Sequence, residues 1–319
     1  MNNNTNFIEL KLKLIIPLLF IPLIVFSQQD PEFSQYNSSL SFFNPASVGS
    51  RDKVCLNALQ RQQWVGFKGA PSTSYFSADG AFNLFGASHG AGISILNDRY
   101  GFNTDLGINF QYAYRIELAT GKLGFGLNAG IINKALSPSW IIPSGLGDVT
   151  GDPHIPQNKE SRVAFDLGLG VFYRSENIFL GLSTTHLNQA RIKYANATPY
   201  MVRHYYATAG YNLQLSNPAF EVLPYFILKS DGKSNLLYIN TTVRYNKKFW
   251  GGVSYRAGDA IVGLVGVELF NGVRIGYSYD FVTSKIGNYS DGSHELTIGY
   301  CFDFSLYKSP QKYKSIRFL

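Results

Sequence analysis

From about Lys53 onward the chain keeps one pattern: apolar side chains at every second position, with glycine or a small polar residue between them. In VRIGYSYDF, Val273, Ile275, Tyr277, Tyr279 and Phe281 share one parity, and Arg274, Gly276, Ser278 and Asp280 the other. In LGINFQYAYRI, Leu106, Ile108, Phe110, Tyr112, Tyr114 and Ile116 alternate with Gly107, Asn109, Gln111, Ala113 and Arg115. A period of two is the signature of a strand with two unlike faces. A soluble sandwich also alternates, but its outer face would carry many Lys and Glu. Here that face is mainly Gly, Ser, Asn and Gln, and charged residues make up only 15% of the chain, against about 25% in ordinary soluble domains. The pattern predicts an all-β protein, a closed antiparallel transmembrane β-barrel between lipid and a polar lumen.

The apolar runs give about fourteen strands, near 53–64, 72–83, 89–97, 104–117, 122–133, 161–174, 177–184, 200–215, 219–229, 235–245, 248–256, 260–269, 273–282 and 294–305. Most reach the roughly 9–11 residues that a tilted strand needs to cross a bilayer. Connections after even strands are short, whereas the long ones, 134–160, 185–199 and 283–293, all follow odd strands. Outer-membrane barrels have short periplasmic turns and longer outer loops, so this parity predicts both termini in the periplasm.

Ahead of the barrel, residues 1–27 read as a secretory signal, with Lys11 and Lys13 before the apolar run LIIPLLFIPLIVF. That run is too short and too rich in proline for a spanning helix. Residues 28–50 are an irregular periplasmic lead-in or plug, 51–305 the barrel, and 306–319 a basic periplasmic tail. The formal charge of +7 argues for no nucleic-acid partner, because the tail alone carries Lys308, Lys312, Lys314 and Arg317 without an acid. The tail's expected contacts are secretion components or anionic lipid heads of the outer membrane.

No residues suggest catalysis. His89, His154, His186, His204 and His294 are scattered without metal-ligand spacing, and no nucleophile–base arrangement or phosphate loop is evident. The expectation is no enzyme, no metal and no cofactor. Arg61, Arg115, Asp166, Arg244, Arg256, Arg274, Asp280, Glu295 and Asp303 take the lumen parity as a mixed-charge set. They read either as an internal ion-pair lattice or as a polar surface for a partner peptide or solute. Cys55 and Cys301 lie on the first and last strands, neighbours in a closed barrel. They are either a seam disulfide or two small unpaired lumen residues. In the longest loop, Trp140, Ile141 and Ile142 offer an apolar contact to a partner or fold back on the barrel mouth.

Several short motifs carry a resemblance. Gln29–Asp30–Pro31, Phe33–Ser34–Gln35–Tyr36, Asn44–Pro45–Ala46 and Gly49 resemble the mature start of the PorP/SprF family. Arg61, Gln63, Trp64, Gly66, Phe67, Gly69, Ala70 and Pro71 look like its most recognisable block. GYSYDF at 276–281, Gly292–Ser293–His294–Glu295 and Arg317–Phe318 are similar to its closing segments. Asn37 and Ser38 depart from the apolar or aromatic pair usual in that family.

The resemblance implies a non-enzymatic outer-membrane barrel of the type IX secretion system. Members serve secretion and cell-surface attachment of large proteins, gliding adhesins among them, that bear a C-terminal sorting domain. Local physics reads RQQWVGFKGAP as a strand end and tight turn, with Trp64 on the lipid parity. Recurrence of the whole block across a family asks for more, which singles out Gln63, Trp64, Phe67 and Lys68 as partner-binding candidates. The competing reading is an outer-membrane porin or transporter for small solutes.

Overall fold

The computed structural model describes residues 30–138, 158–269 and 272–303. The signal segment, Trp140, Ile141 and the basic tail 306–319 lie outside them. Among the described residues, fifteen strand segments form one antiparallel sheet that closes on itself. In chain order they are β1 (Val54–Gln62), β2 (Ser72–Leu84), β3 (Ala87–Tyr100), β4 (Asn103–Leu118) and β5 (Gly121–Leu136). Then come β6 (Glu160–Ser175), β7 (Ile178–Thr185), β8 (His204–Tyr211), β9 (Leu213–Gln214) and β10 (Phe220–Ser230). The last are β11 (Asn235–Tyr245), β12 (Phe249–Arg256), β13 (Ala260–Glu268), β14 (Val273–Val282) and β15 (Ser293–Phe302). β15 pairs with β1 and closes the seam. The two-residue β9 continues the line of β8 past Asn212, and both pair with β10, so the wall has fourteen staves.

Two expected strand ends differ, for local reasons. β8 begins at His204 rather than near 200, because Tyr200 makes only an isolated bridge to Arg191 within the preceding loop. β1 stops at Gln62: the Gln63 N–H donates to the Pro71 carbonyl, and Trp64 turns to a φ of +51°. The lipid parity assigned to Trp64 therefore lapses, since parity is carried only by extended backbone.

The alternation holds around the wall. Phe110, Phe165, Leu182, Val265 and Phe281 are among many large apolar side chains left exposed on the outer face. Their neighbours Gln111, Asp166, Asp280 and Glu295 are buried, facing inward. Short connections such as 85–86, 119–120 and 176–177 lie at the hairpin end of the barrel, with the start of β1 and the end of β15. The long connections 186–203 and 283–292 lie at the opposite, loop end, together with the facing strand ends Leu136 and Glu160.

The lead-in occupies the lumen. Phe33, Tyr36, Leu40, Phe43, Ala46 and Val48 have almost no accessible surface. Phe33, Tyr36 and Phe43 pack with inward-facing Leu59, Tyr75, Leu96, Tyr206, Ile227 and Tyr238 into one core inside the barrel. One short helical turn, α1 (Leu40–Phe43), and two 3-10 turns, Tyr36–Ser38 and Pro45–Ser47, let the segment coil without pairing to the wall. Asn44 caps the second of these: its Oδ1 accepts from the Ala46 N–H at 2.9 Å, and its Nδ2 donates to the Val171 carbonyl at 3.0 Å.

Inward glycines make room for this segment. A Cβ at Gly126 would strike Ala46, one at Gly90 the Val48 carbonyl, one at Gly170 the Asn44 side chain, and one at Gly276 the Gln35 amide. At Gly90 and Gly126 the lead-in backbone approaches closely, and at Gly170 and Gly276 its side chains do. The departing pair Asn37 and Ser38 lines a cavity of about 100 Å³ with Asn57, Thr242 and Arg244, a polar setting that suits polar side chains.

The lead-in runs down the lumen from the loop end to β1. Ser34 and Gln35 bond to Glu295 near the loop end, while Val48 and Gly49 meet Gly90 near the hairpin end. The described residues thus begin and end at opposite ends of the barrel, Asp30 at the loop end and Asp303 at the hairpin end. The wall itself begins at Val54 and ends at Phe302 on the hairpin side, and the lead-in crosses the lumen to reach it. The physical reason is that a segment carrying Phe33, Tyr36 and Phe43 needs a buried surface, and the lumen supplies it.

Cys55 and Cys301 face each other across the seam in register, Cα atoms 4.1 Å apart, and are joined in a disulfide. The cross-link closes a loop of 246 residues, and in the chain-entropy account its removal costs about 2–5 kcal/mol. Cys55→Ser/Cys301→Ser is therefore expected to assemble a barrel that unfolds at lower urea concentration than the parent under non-reducing conditions. Equal midpoints for the two proteins would mean that the strand ladder alone holds the seam.

Candidate functional site

Five segments, the lead-in and strands β1, β12, β14 and β15, meet at one buried ion cluster. Arg61 on β1 has no accessible surface and stands opposite Glu295 on β15 in the strand register. Its Nη2 donates to Asp280 Oδ2 at 2.7 Å, and its Nη1 donates to Ser34 Oγ at 2.8 Å and Glu295 Oε2 at 3.3 Å. Arg256 on β12 approaches from the other side. It donates to Asp280 Oδ2 at 3.0 Å, Asp259 Oδ2 at 2.8 Å and Ser34 Oγ at 3.0 Å. Glu295 in turn receives the backbone N–H groups of Ser34 and Gln35, both at 2.7 Å. Two guanidinium groups face the buried carboxylates of Asp280 and Glu295, with the partly exposed Asp259 as a third acid, and the four terminal guanidinium nitrogens all find acceptors while the two Nε atoms do not. Pairing of this kind is what a buried ionic group requires.

The cluster holds the lead-in to the wall. Ser34 Oγ accepts from both arginines and donates to Asp280 Oδ1 at 2.7 Å. Gln35 is fixed further by Thr297, whose hydroxyl donates to Gln35 Oε1 at 2.8 Å. Tyr36 stacks edge-on against Tyr238, and Arg256 lies over that same ring, 5.1 Å from its centre.

The other charges assigned to a lattice split into separate contacts. Arg115 pairs with Asp52 at 2.8 Å, Arg244 with Glu221, and Arg274 lies 3.0 Å from the Cys301 sulfur. Asp303 is not a lumen group: it pairs with Lys53 at 3.2 Å on the exposed rim, because β15 ends at Phe302 and the parity with it. The lumen therefore carries several local ion pairs instead of one lattice.

Of the candidate partner contacts, Phe67 and Lys68 are exposed, Trp64 is half-buried and Gln63 is buried. The turn that holds them is tied down on both flanks. Val65 N–H donates to the Gly292 carbonyl at 2.8 Å, Trp64 N–H to Ser293 Oγ at 3.0 Å, and Gly101 N–H to the Gly69 carbonyl at 2.9 Å. Trp140 and Ile141 fall outside the described residues.

A second polar group at the loop end was not legible as a unit. His186 bridges two acids: its Nδ1 lies 2.8 Å from Asp166 Oδ1 and its Nε2 2.7 Å from Asp30 Oδ1. His204 Nδ1 sits 3.2 Å from Asp30 Oδ2, which also receives the Tyr206 hydroxyl at 3.0 Å. Burial opposes charge on the His186 ring, but Asp30 and Asp166 outweigh it and raise its pKa to about 10. Asp30 comes from the lead-in, Asp166 from β6 and His204 from β8. The fold alone brings them together, and no local spacing could have signalled it.

A search of curated proteins found no match. Among solved structures, the chain is similar to the Acinetobacter baumannii outer membrane protein Omp33, at 8% identity and a TM-score of 0.48, covering 79% of this chain and 99% of that one. It is also similar to a mutant Rh. blastica porin, at 10% identity and a TM-score of 0.34, covering 78% and 99%. Residues 25–300 match the family described as type IX secretion system membrane protein PorP/SprF. They include every motif that converges on Arg61, so the chain belongs to the PorP/SprF family of type IX secretion system membrane proteins.

Proposed function

We propose that the protein is a non-enzymatic outer-membrane barrel that supports secretion and surface attachment of a large partner bearing a C-terminal sorting domain. Membership of a type IX secretion family supports the secretion role. The observation that carries the rest is the filled lumen: with Phe33, Tyr36 and Phe43 packed against the wall, the barrel offers no wide passage to a solute. A partner is then held from the loop end, where Phe67 and Lys68 stand exposed on a rigidly anchored turn. In this reading the hairpin end faces the periplasm, together with Asp303 and the basic tail that follows it. Its Lys308, Lys312, Lys314 and Arg317 suit electrostatic contact with secretion components there.

Affinity purification from detergent-solubilised membranes tests this. A secreted protein with a sorting domain is expected to co-purify with the parent barrel. Phe67→Ala/Lys68→Glu is expected to retain about tenfold less of it, the scale of a central contact in a protein interface. A barrel that retains no secreted protein, yet passes sugars freely in liposome swelling, would favour the porin reading instead.

A further inference from the structure

We propose that Asp30, His186 and His204 form a binding site for a divalent transition metal of the zinc class, joining the start of the lead-in to the barrel wall. The inference concerns metal chemistry and does not rest on the secretion role.

The donor atoms already converge. One ligand atom from each of the three residues lies within 4.8 Å of the other two. They are a carboxylate oxygen of Asp30, His186 Nε2 and His204 Nδ1. Two imidazoles and one carboxylate are the ligand types that zinc and its neighbours prefer. A site built only of oxygens would point to calcium or magnesium instead. Three protein ligands leave a fourth position for water, as in zinc sites that keep one place open. Beside the group is a small cavity of about 60 Å³, lined by Asp30, Asp166 and His186 together with Asp98, Asp105 and Lys134.

Two further observations point to a missing ligand. His204 is buried at 3% exposure, and its Nδ1 lies 3.2 Å from Asp30 Oδ2 without the geometry of a hydrogen bond. A buried ring nitrogen met only by this ion-pair contact is poorly satisfied, and a metal shared with the Asp30 carboxylate would satisfy it. The far side of His186 is already arranged as metal-binding histidines are: Nδ1 meets the Asp166 carboxylate at 2.8 Å, which fixes the ring with Nε2 turned to Asp30, 2.7 Å from its Oδ1.

The charges agree. The carboxylates of Asp30 and Asp166 match a dication, while nearby Lys229 is engaged by Glu32 at 3.0 Å and the Asp30 carbonyl at 3.3 Å. When the metal takes the lone pair of His186 Nε2, any proton on that nitrogen passes to solvent. The consequence is mechanical. Asp30 belongs to the lead-in, His186 to the connection that follows β7 and His204 to the start of β8, so the metal clips the lead-in at the loop end, as the Arg61 cluster clips it deeper in the lumen.

The test uses the full chain without a histidine tag, folded in detergent, stripped with chelator and titrated with zinc at mildly alkaline pH. Zinc content is then read by elemental analysis. The expected result is one tightly held zinc per chain, lost in both His204→Ala and Asp30→Asn and kept in His89→Ala. His89 is a fair control, because its ring is remote and already bonded to the Tyr112 hydroxyl at 2.7 Å. Heat-modifiable gel mobility reports whether each variant is a folded barrel. Cobalt substitution should give visible ligand-field bands in the parent and none in His204→Ala. The proposal fails if the folded parent holds no zinc, or if His204→Ala and Asp30→Asn hold as much as the parent.

Discussion

Arg61→Met is expected to destabilise the barrel by about 3–5 kcal/mol, the usual cost of leaving a buried charge without its partner. The side chain has no accessible surface and contacts two carboxylates at 2.7 and 3.3 Å. Without it, Glu295 keeps only the two backbone N–H groups of the lead-in, and Asp280 must rely on Arg256 and the Ser34 hydroxyl. The charge imbalance then pulls water into the lumen at the point where Ser34 and Gln35 are held. Two readouts follow: a lower urea midpoint for barrel unfolding, and faster proteolysis within the lead-in of the folded protein. Arg61→Lys keeps the charge but loses the fork that reaches three acceptors, and should fall between. Arg61→Met/Glu295→Gln removes one charge of each sign and should recover part of the loss. A double variant no more stable than Arg61→Met would mean that packing, not charge balance, sets the effect.

Removing residues 31–48 is expected to turn a closed barrel into a conducting one. The lead-in fills the lumen with Phe33, Tyr36 and Phe43, and Val48 reaches the hairpin end. A barrel of fourteen staves is wider than the eight-stranded kind that side chains alone can fill, and approaches the size at which porins leave an aqueous channel. The parent should show baseline current in planar bilayers and slow swelling of liposomes. The shortened protein should show discrete steps of current, weakly selective for ions of either sign because Arg61, Arg256, Asp280 and Glu295 would then line the opening. Steady large currents from the parent itself would mean that the lead-in is easily displaced, and the porin reading would regain ground.

Much of this architecture was legible in the chain. Alternation is a local property, set by which side of each residue meets lipid, so Phe110 against Gln111, or Phe281 against Asp280, could be assigned without coordinates. The parity of loop lengths then ordered the two ends. Even the ion cluster was partly encoded. Arg61 lies six residues beyond Cys55, and Glu295 six before Cys301. Pairing the cysteines across an antiparallel seam sets Arg61 opposite Glu295. The block RQQWVGFKGAP therefore had two roles hidden in one motif: an arginine that holds the lead-in, and a turn whose tip presents Phe67 and Lys68.

Local pattern could not extend to contacts made through the lumen. The lead-in lacks any period, because its partners are fourteen staves around it rather than one neighbouring strand. Its course down the barrel thus had no signature in Asp30–Ser50 alone. The inward glycines carry no mark in the chain of what they face; Ala46 stands against Gly126 and Val48 against Gly90. The grouping of Asp30 with His186 and His204 spans some 170 residues of sequence and depends on closure of the sheet. The sequence by itself determined the barrel, its two faces and its family, because those follow from alternation and contiguous motifs. Only the tertiary structure decided that the lumen is occupied and which charges meet, because those depend on bringing distant segments into one enclosed volume.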